Sequence, residues 1–375
     1  MSTIFNEANR DKNPYIFFND FQSESLPYRE KIIEAVNRVI KSGWYILGNE
    51  LRQFEENFAN YIGVKYCIGV ASGTEAIALS LMAGRIGPGC EVITTNLTAF
   101  PTITAIMQTG AQPVVVDIFE NTGLINWQKI EDHISEKTRA IVPVHLYGQS
   151  CNMAEIMTIA RRYGLFVVED CAQATGATFM DTKCGAIGDC GAFSFYPTKN
   201  LGAYGDAGAI TTNDENLYQQ LISLRNYGQA QRYYHDHPGI NSRMDELQAA
   251  ILNVKLPYLE TKNDERKSIA HRYRQGLKKV TCLTENDYGQ HANHLFVIKS
   301  PRRKQLMEYL ESKNVQTLIH YPVPVTSQKA FQWQKDESLP ESEKFANSIL
   351  SLPIYPELSK ENINYVIEVI NEFEE

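Results

Sequence analysis

Lys199, in Phe193-Ser-Phe-Tyr-Pro-Thr-Lys199-Asn-Leu-Gly202, is the residue of this chain best placed to do chemistry. The apolar-aromatic run reads as a strand that Pro197 ends, which leaves Lys199 in a loop at the strand's mouth. A lysine held near a core is poorly solvated; its pKa falls, and the neutral amine can condense with a carbonyl. Four further features fall at the ends of expected strands or helices. Ser72-Gly73-Thr74-Glu75 follows a strand and opens an apolar helix. Ser72 and Glu75 fit a capping box, and a helix N-terminus with two hydroxyls suits a phosphate. Asp170 closes an apolar strand, with Gln173 after it; a carboxylate there is costly unless a cation meets it. Ser194 can add a hydroxyl to a phosphate, and Gly239-Ile-Asn241-Ser-Arg243-Met-Asp245 is a glycine loop before a long helix. Taken singly, each has a plain structural reading: helix cap, turn cap, strand serine, helix-start punctuation, solvated lysine. Together they supply an anion cradle, an acid for a ring nitrogen and an imine-forming amine. Those are the parts of a pyridoxal 5'-phosphate (PLP) site, where the acid keeps the ring electron-withdrawing.

The elements that would position these groups alternate. Helical spacing covers 27–42 and 51–61, followed by strand 66–70, helix 74–83, strand 91–95, helix 102–109 and strand 113–117. A longer helical stretch is expected over 127–134, then strand 140–145, helix 153–163 and strand 165–170. Nearly continuous apolar strands joined by helices predict a parallel sheet covered on both faces, with ligands outside the carboxyl ends of its strands. From about Leu217 the pattern changes. A helix carries Leu224 and Arg225, and a polar loop spans 226–242. A long helix from near Asp245 bends at Pro257 and runs to about Leu277. A strand over 294–298, a helix over 304–313 and a terminal helix ending in Glu375 complete an α+β unit. The expected division is a leader over 1–25, a large domain over 26–255 and a small C-terminal domain over 256–375.

Composition narrows the class. With 375 residues, 43% hydrophobic and 21% charged, the chain can build a large domain and a smaller one. A net charge of −8 speaks against nucleic-acid binding, and Arg302-Arg303-Lys304 reads as a solvated face. No apolar run has bilayer-spanning length, so no membrane partner is expected, and the polar N-terminus is not a signal peptide. The seven cysteines, scattered without CxxC spacing, read as reduced and mostly buried thiols of a cytoplasmic protein. His235-Asp-His237 reads as solvated rather than as a metal site, so no metal is expected.

Four motifs carry a resemblance: Ser72-Gly-Thr-Glu-Ala76, Val168-Glu-Asp-Cys-Ala-Gln-Ala-Thr-Gly-Ala177, Phe193 to Gly202, and Gly239-Ile-Asn-Ser-Arg-Met-Asp-Glu-Leu-Gln-Ala-Ala250. From about Phe18 to the C-terminus the sequence is similar to the DegT/DnrJ/EryC1/StrS family, mostly PLP-dependent sugar-nucleotide aminotransferases. The resemblance implies an α/β fold, PLP-dependent transferase fold type I (aspartate aminotransferase-like). It implies that Lys199 forms the imine with the cofactor and moves the proton, and that Asp170 pairs the pyridinium. Gln173 would meet the ring hydroxyl, while Gly73, Thr74 and Ser194 hold the phosphate. Asn241 would reach the phosphate of a neighbouring subunit, implying a homodimer with shared active sites. Arg243, His320 and Tyr321 fall where relatives contact substrate. The implied reaction takes an amino group from L-glutamate through the pyridoxamine 5'-phosphate form to a nucleotide-linked deoxysugar, as in polysaccharide biosynthesis. The form His320-Tyr-Pro-Val-Pro324 favours C3 over C4. Ala99 stands where many relatives carry a stacking aromatic, and Val325-Thr-Ser-Gln328 lacks a histidine many have. Two alternatives are a PLP-dependent sugar dehydratase, whose relatives replace the lysine by histidine, and a non-catalytic regulator.

Overall fold

The structure, a computed structural model, describes residues 15–331 and 338–373. Helices α1 (Arg29–Ser42) and α2 (Asn49–Ile62) each end at a left-handed glycine, Gly43 (φ 65°) and Gly63 (φ 86°), a conformation that glycine adopts without strain. The expected alternation follows. It comprises β1 (Tyr66–Val70), α3 (Gly73–Ala83), β2 (Glu91–Thr95), α4 (Phe100–Gln108), β3 (Gln112–Val116), β4 (Thr138–Ile141), α5 (Met153–Tyr163), β5 (Phe166–Asp170), β6 (Cys190–Ser194) and β7 (Gly208–Thr212). The seven strands form one sheet in the order β1-β7-β6-β5-β4-β2-β3. Neighbours are parallel except β7, which runs antiparallel to both β1 and β6. Helix α3 is apolar on most of its surface because it is buried on most of it, from Ala76 to Ala83.

Register along the carboxyl edge decides where the polar groups meet. Asp170 ends β5 and pairs with Ala192 of β6, and Ser194 ends β6 opposite Gly208, the first residue of β7. Gly208 also pairs with Val70, the last residue of β1, just before Ser72-Gly73. A Cβ at Gly208 would lie 2.4 Å from the Ser72 carbonyl oxygen, so only glycine lets the edges close here.

Beyond the sheet come α6 (Glu215–Leu224), a two-stranded hairpin at Gln229–Gln231 and Tyr234–His235, and α7 (Glu246–Lys255). A 3-10 turn containing Pro257 leads from α7 into α8 (Leu259–Gly276), the bend expected from the sequence. The small antiparallel sheet is β8 (Thr281–Cys282), β9 (Phe296–Lys299) and β10 (Ile349–Leu352), with α9 (Arg303–Ser312), α10 (Pro340–Ser348) and α11 (Lys360–Glu372). Its core joins α8, β9, β10 and α11 through residues such as Tyr273, Phe296, Leu352 and Ile370.

Three expectations change. Residues 127–134 form two 3-10 turns, Trp127–Lys129 and Glu131–His133, rather than a helix; so short a stretch gains little from helix propagation. Strand 140–145 breaks at Pro143, although Val144 still bridges Asp170. From Tyr15 on, the stretch assigned to the leader is docked: Ile16 is buried in the small-unit core and bridges Val315. Residues 1–14 of that leader lie outside the described residues, as do the last two residues of the helix expected to end at Glu375.

Candidate active site

Asp170 is buried, and its carboxylate is held by two donors. Thr102 Oγ1 donates to Oδ2 at 2.8 Å, and the Ala172 N–H donates to Oδ1 at 3.1 Å. Burial pushes its pKa up; the two hydrogen bonds and the Lys199 charge oppose that rise. Lys199 is partly open to the cleft, yet its amine is hemmed in by protein. Burial pushes its pKa down to about 8 against the pull of Asp170. A buried acid and an amine of lowered pKa thus lie within reach of each other's charge, past the ends of neighbouring strands.

The candidate anion cradle lies where β1 and β6 end and β7 begins. Ser72 caps α3 by accepting the Glu75 N–H at 3.2 Å. Glu75 does not return the bond of a capping box; its carboxylate accepts from Ser242 Oγ at 2.6 Å, and Ser242 Oγ accepts the Ala71 N–H at 3.2 Å. A Cβ at Gly73 would stand 2.6 Å from Ser194 Cβ, so the helix N-terminus and the Ser194 hydroxyl share one small concavity. Thr74 is in the first turn of α3.

Across the cleft, Gln173 Oε1 accepts the Tyr147 N–H at 2.6 Å, and Gln173 Nε2 donates to the Tyr321 hydroxyl at 2.9 Å. The second Nε2 proton is left for another acceptor. The Tyr147 hydroxyl donates to the His320 carbonyl, and His320 Nδ1 meets Ser351 Oγ at 2.9 Å. Burial and the Lys199 charge push the His320 pKa down to about 4, so its imidazole is neutral at ordinary pH. Burial, then the Asp170 charge, pushes the Tyr321 phenol up.

Lys199 is thus linked by charge to Asp170 and His320, and Asp170 and Gln173 to Tyr321, while Gly73 and Ser194 meet where α3 starts and β6 ends. Ala99 is the N-cap residue of α4 and offers only a methyl; Phe100 packs instead with the cluster of Ile103, Val325 and Phe331. Asn241 is exposed and Arg243 bonds Asn226 Oδ1 at 3.0 Å, so neither joins the other residues within one chain. They flank Ser242, which places their loop beside the cradle. His235 is exposed and turns Nδ1 to the Tyr227 carbonyl.

Sequence reasoning missed Thr102, Tyr147 and the pair His294–Asn200 (3.1 Å) beside Lys199. It also missed a buried network behind Asp170. His145 Nδ1 accepts the Cys151 N–H at 3.0 Å, which puts the ring proton on Nε2, donated to Glu169 at 3.0 Å. Glu169 further accepts the N–H groups of Gly185, Ile187 and Gly188 at 2.8–3.0 Å. His145, Glu169 and Cys184 bring ligand-type atoms within 4.8 Å of one another, but both histidine nitrogens are already engaged. The signal for the pair was the adjacency of Glu169 and Asp170 at the end of an apolar strand.

The residues fit PLP: N–H groups and hydroxyls for a phosphate, a buried carboxylate for a cationic ring nitrogen, and an amine for an aldehyde. Comparison with known proteins agrees. A family model described as the DegT/DnrJ/EryC1/StrS aminotransferase family matches residues 27–371. The chain is 48% identical to a dTDP-3-amino-3,6-dideoxy-alpha-D-galactopyranose transaminase of Aneurinibacillus thermoaerophilus, over 95% of this chain and 99% of that one. It is 41% identical to a "pleiotropic regulatory protein" of Geobacillus stearothermophilus, over 94% and 97%. The solved structure of S. venezuelae DesV in complex with a ketimine intermediate superposes with a TM-score of 0.94 at 39% identity, covering 96% of this chain and 98% of that chain.

Proposed function

Because the chain belongs to the DegT/DnrJ/EryC1/StrS aminotransferase family, and is thus a PLP-dependent aminotransferase, we propose that it moves an amino group from L-glutamate to C3 of a nucleotide-linked deoxysugar. When bound, PLP supplies an electron-withdrawing ring that lets a substrate carbon give up its proton. Asp170 holds its negative charge toward the ring nitrogen. The Lys199 amine, near its midpoint at pH 8, takes a proton from the substrate carbon and returns one on the other side of the reaction. Gly73, Thr74 and Ser194 hold the phosphate, and Gln173 the ring hydroxyl. Neutral His320 and the Tyr321 phenol orient the sugar without adding charge beside Lys199.

The observation that carries this reading is the placing of Asp170 at the end of β5 and of the Lys199 loop just past the end of its neighbour β6, close enough for each to feel the other's charge. A small recess, with room for about 50 Å³, lies on the Lys199 loop. Tyr28, Tyr258 and Tyr355 line it, and its lysines are paired with acids of the same wall, Lys255 with Glu24 and Lys262 with Glu357, both at 2.8 Å. The choice of C3 rests on the His320-Tyr321-Pro322 segment and on the 3-amino product in the name of the 48% identical relative. The protein acts in the cytoplasm as a homodimer with shared sites. Support for the dimer comes from exposed Trp44, Tyr45, Tyr233, Tyr234, Ile33 and Ile40, and from exposed Asn241 beside the cradle loop. Among the described residues no helix is long and apolar enough to cross a membrane.

Incubation with glutamate and a panel of nucleotide 3-keto and 4-keto sugars tests the reading. The expected result is 2-oxoglutarate together with a 3-amino sugar located by NMR. A 4-amino product overturns C3, and no turnover with any keto-sugar overturns the substrate class. The intact Lys199 argues against the dehydratase. The regulatory reading is favoured by the name of the 41% identical relative. It predicts partner binding by a chain that takes up no cofactor; a yellow protein bleached by borohydride counts against it.

A further inference from the structure

Two threonines stand between helix α4 and Asp170. Thr98 precedes the helix, Thr102 lies in its first turn, and both are buried with Asp170. Their hydroxyls are 3.0 Å apart, and Thr102 Oγ1 is 2.8 Å from Asp170 Oδ2. A carboxylate can only accept, so the single Thr102 proton goes to Asp170. The proton between the two threonines must then come from Thr98. The chain therefore has one direction, Thr98 to Thr102 to Asp170, and each donor polarises the next. Residue 99, between the two, is only an alanine and caps nothing. The first turn of α4 thus spends its hydroxyl on the carboxylate rather than on the helix end.

We propose that Thr102, steadied by Thr98, is a positioning residue: it fixes the Asp170 carboxylate toward the ring nitrogen of the cofactor and keeps it charged. The inference rests on the PLP reading of the site and says how its acid is held. The other titratable groups that face Asp170 are Lys199, His145 and Tyr321. His145 reaches it through its backbone N–H, which donates to the Asp170 carbonyl at 3.1 Å, and its ring is turned to Glu169. Thr102 is thus the side-chain hydroxyl that touches the carboxylate. Without it, Asp170 grows more basic and draws the proton from the ring nitrogen. The ring then withdraws less charge, and the Lys199 linkage keeps its own proton to higher pH.

The test titrates the visible absorption band of the PLP-loaded protein, without substrate, in the variants T102V, T102S and T98V. In T102V the midpoint is expected to rise by about one pH unit, and PLP to bind about tenfold more weakly, as for one lost bond to a charged group. T102S restores both values, and T98V shifts the midpoint the same way by less. A T102V midpoint equal to wild type overturns the proposal, as does a T102S midpoint displaced as far as that of T102V. If T102V does not fold, T98V decides: an unmoved midpoint overturns the relay and a raised one supports it. A wild-type protein that takes up no PLP and shows no visible band would instead strike at the PLP reading itself.

Discussion

Lys199 is under two opposing influences, burial that expels the proton and Asp170 that retains it. The balance near pH 8 sets how fast added PLP can be taken up by the apoprotein, because only the neutral amine attacks an aldehyde. The rate of colour formation, followed by stopped flow, is expected to rise with pH to a midpoint of about 8. Asp170→Asn removes the retaining charge, so its midpoint moves lower. The same shift fixes a sign for stability. The folded-state value lies below the unfolded value of 10.5, so the cost of the buried ammonium is present in full below about pH 8 and fades as pH rises to 10.5. In urea denaturation the apo Lys199→Met chain should therefore gain on wild type at pH 7, and the gap should close by pH 10.5. Lys199 and Asp170 were legible because each breaks an apolar pattern: a lysine just past Pro197, an acid ending Leu165-Phe-Val-Val. Thr102 was not, since a threonine in the first turn of a helix breaks no pattern.

At the scale of elements, the cradle depends on how closely α3 meets the end of β6. Gly73→Ala would set a methyl 2.6 Å from Ser194 Cβ and push the helix start away. We expect PLP affinity to fall by about tenfold or more, one to two hydrogen bonds' worth, while the midpoint of thermal unfolding changes little. Fluorescence titration with PLP checks this. The alternating strands and helices were readable up to Asp170 because their periods are distinct. Strand β7 was not, although it completes the sheet between β1 and β6. Its sequence, Gly-Ala-Ile-Thr-Thr, is short and begins with the residue least suited to strands; closeness to the Ser72 carbonyl, a tertiary fact, demands that glycine. Strand β10 and helix α10 were missed as well; the N–H groups of Glu341 and Ser342 at the start of α10 are held by Asp117, far away in sequence.

For the whole molecule, the proposed homodimer with shared sites makes a quantitative prediction. If Asn241 serves the site of a second subunit, two inactive chains, Lys199→Ala and Asn241→Ala, should complement each other when mixed and allowed to exchange. Equal mixing yields heterodimers with one complete site, or about a quarter of wild-type activity by statistics for a twofold dimer. Activity that stays at the level of the two inactive parents would place Asn241 in the site of its own subunit. The role of Asn241 came from family resemblance alone, because within one chain it is exposed and bridges only Asn226 among the described residues outside named strands.

The stretch from Leu318 to Thr326 is anchored at both flanks. Leu318 pairs with Ser351, His320 and Tyr321 hold Ser351 and Gln173, and Val325 and Thr326 lean on Asn96. Between those anchors Pro322 and Val323 are exposed. A short cassette with firm ends and a bare middle can be transplanted: residues 322 and 323 can be exchanged for those of a relative, leaving the anchored flanks, Pro324 included, in place.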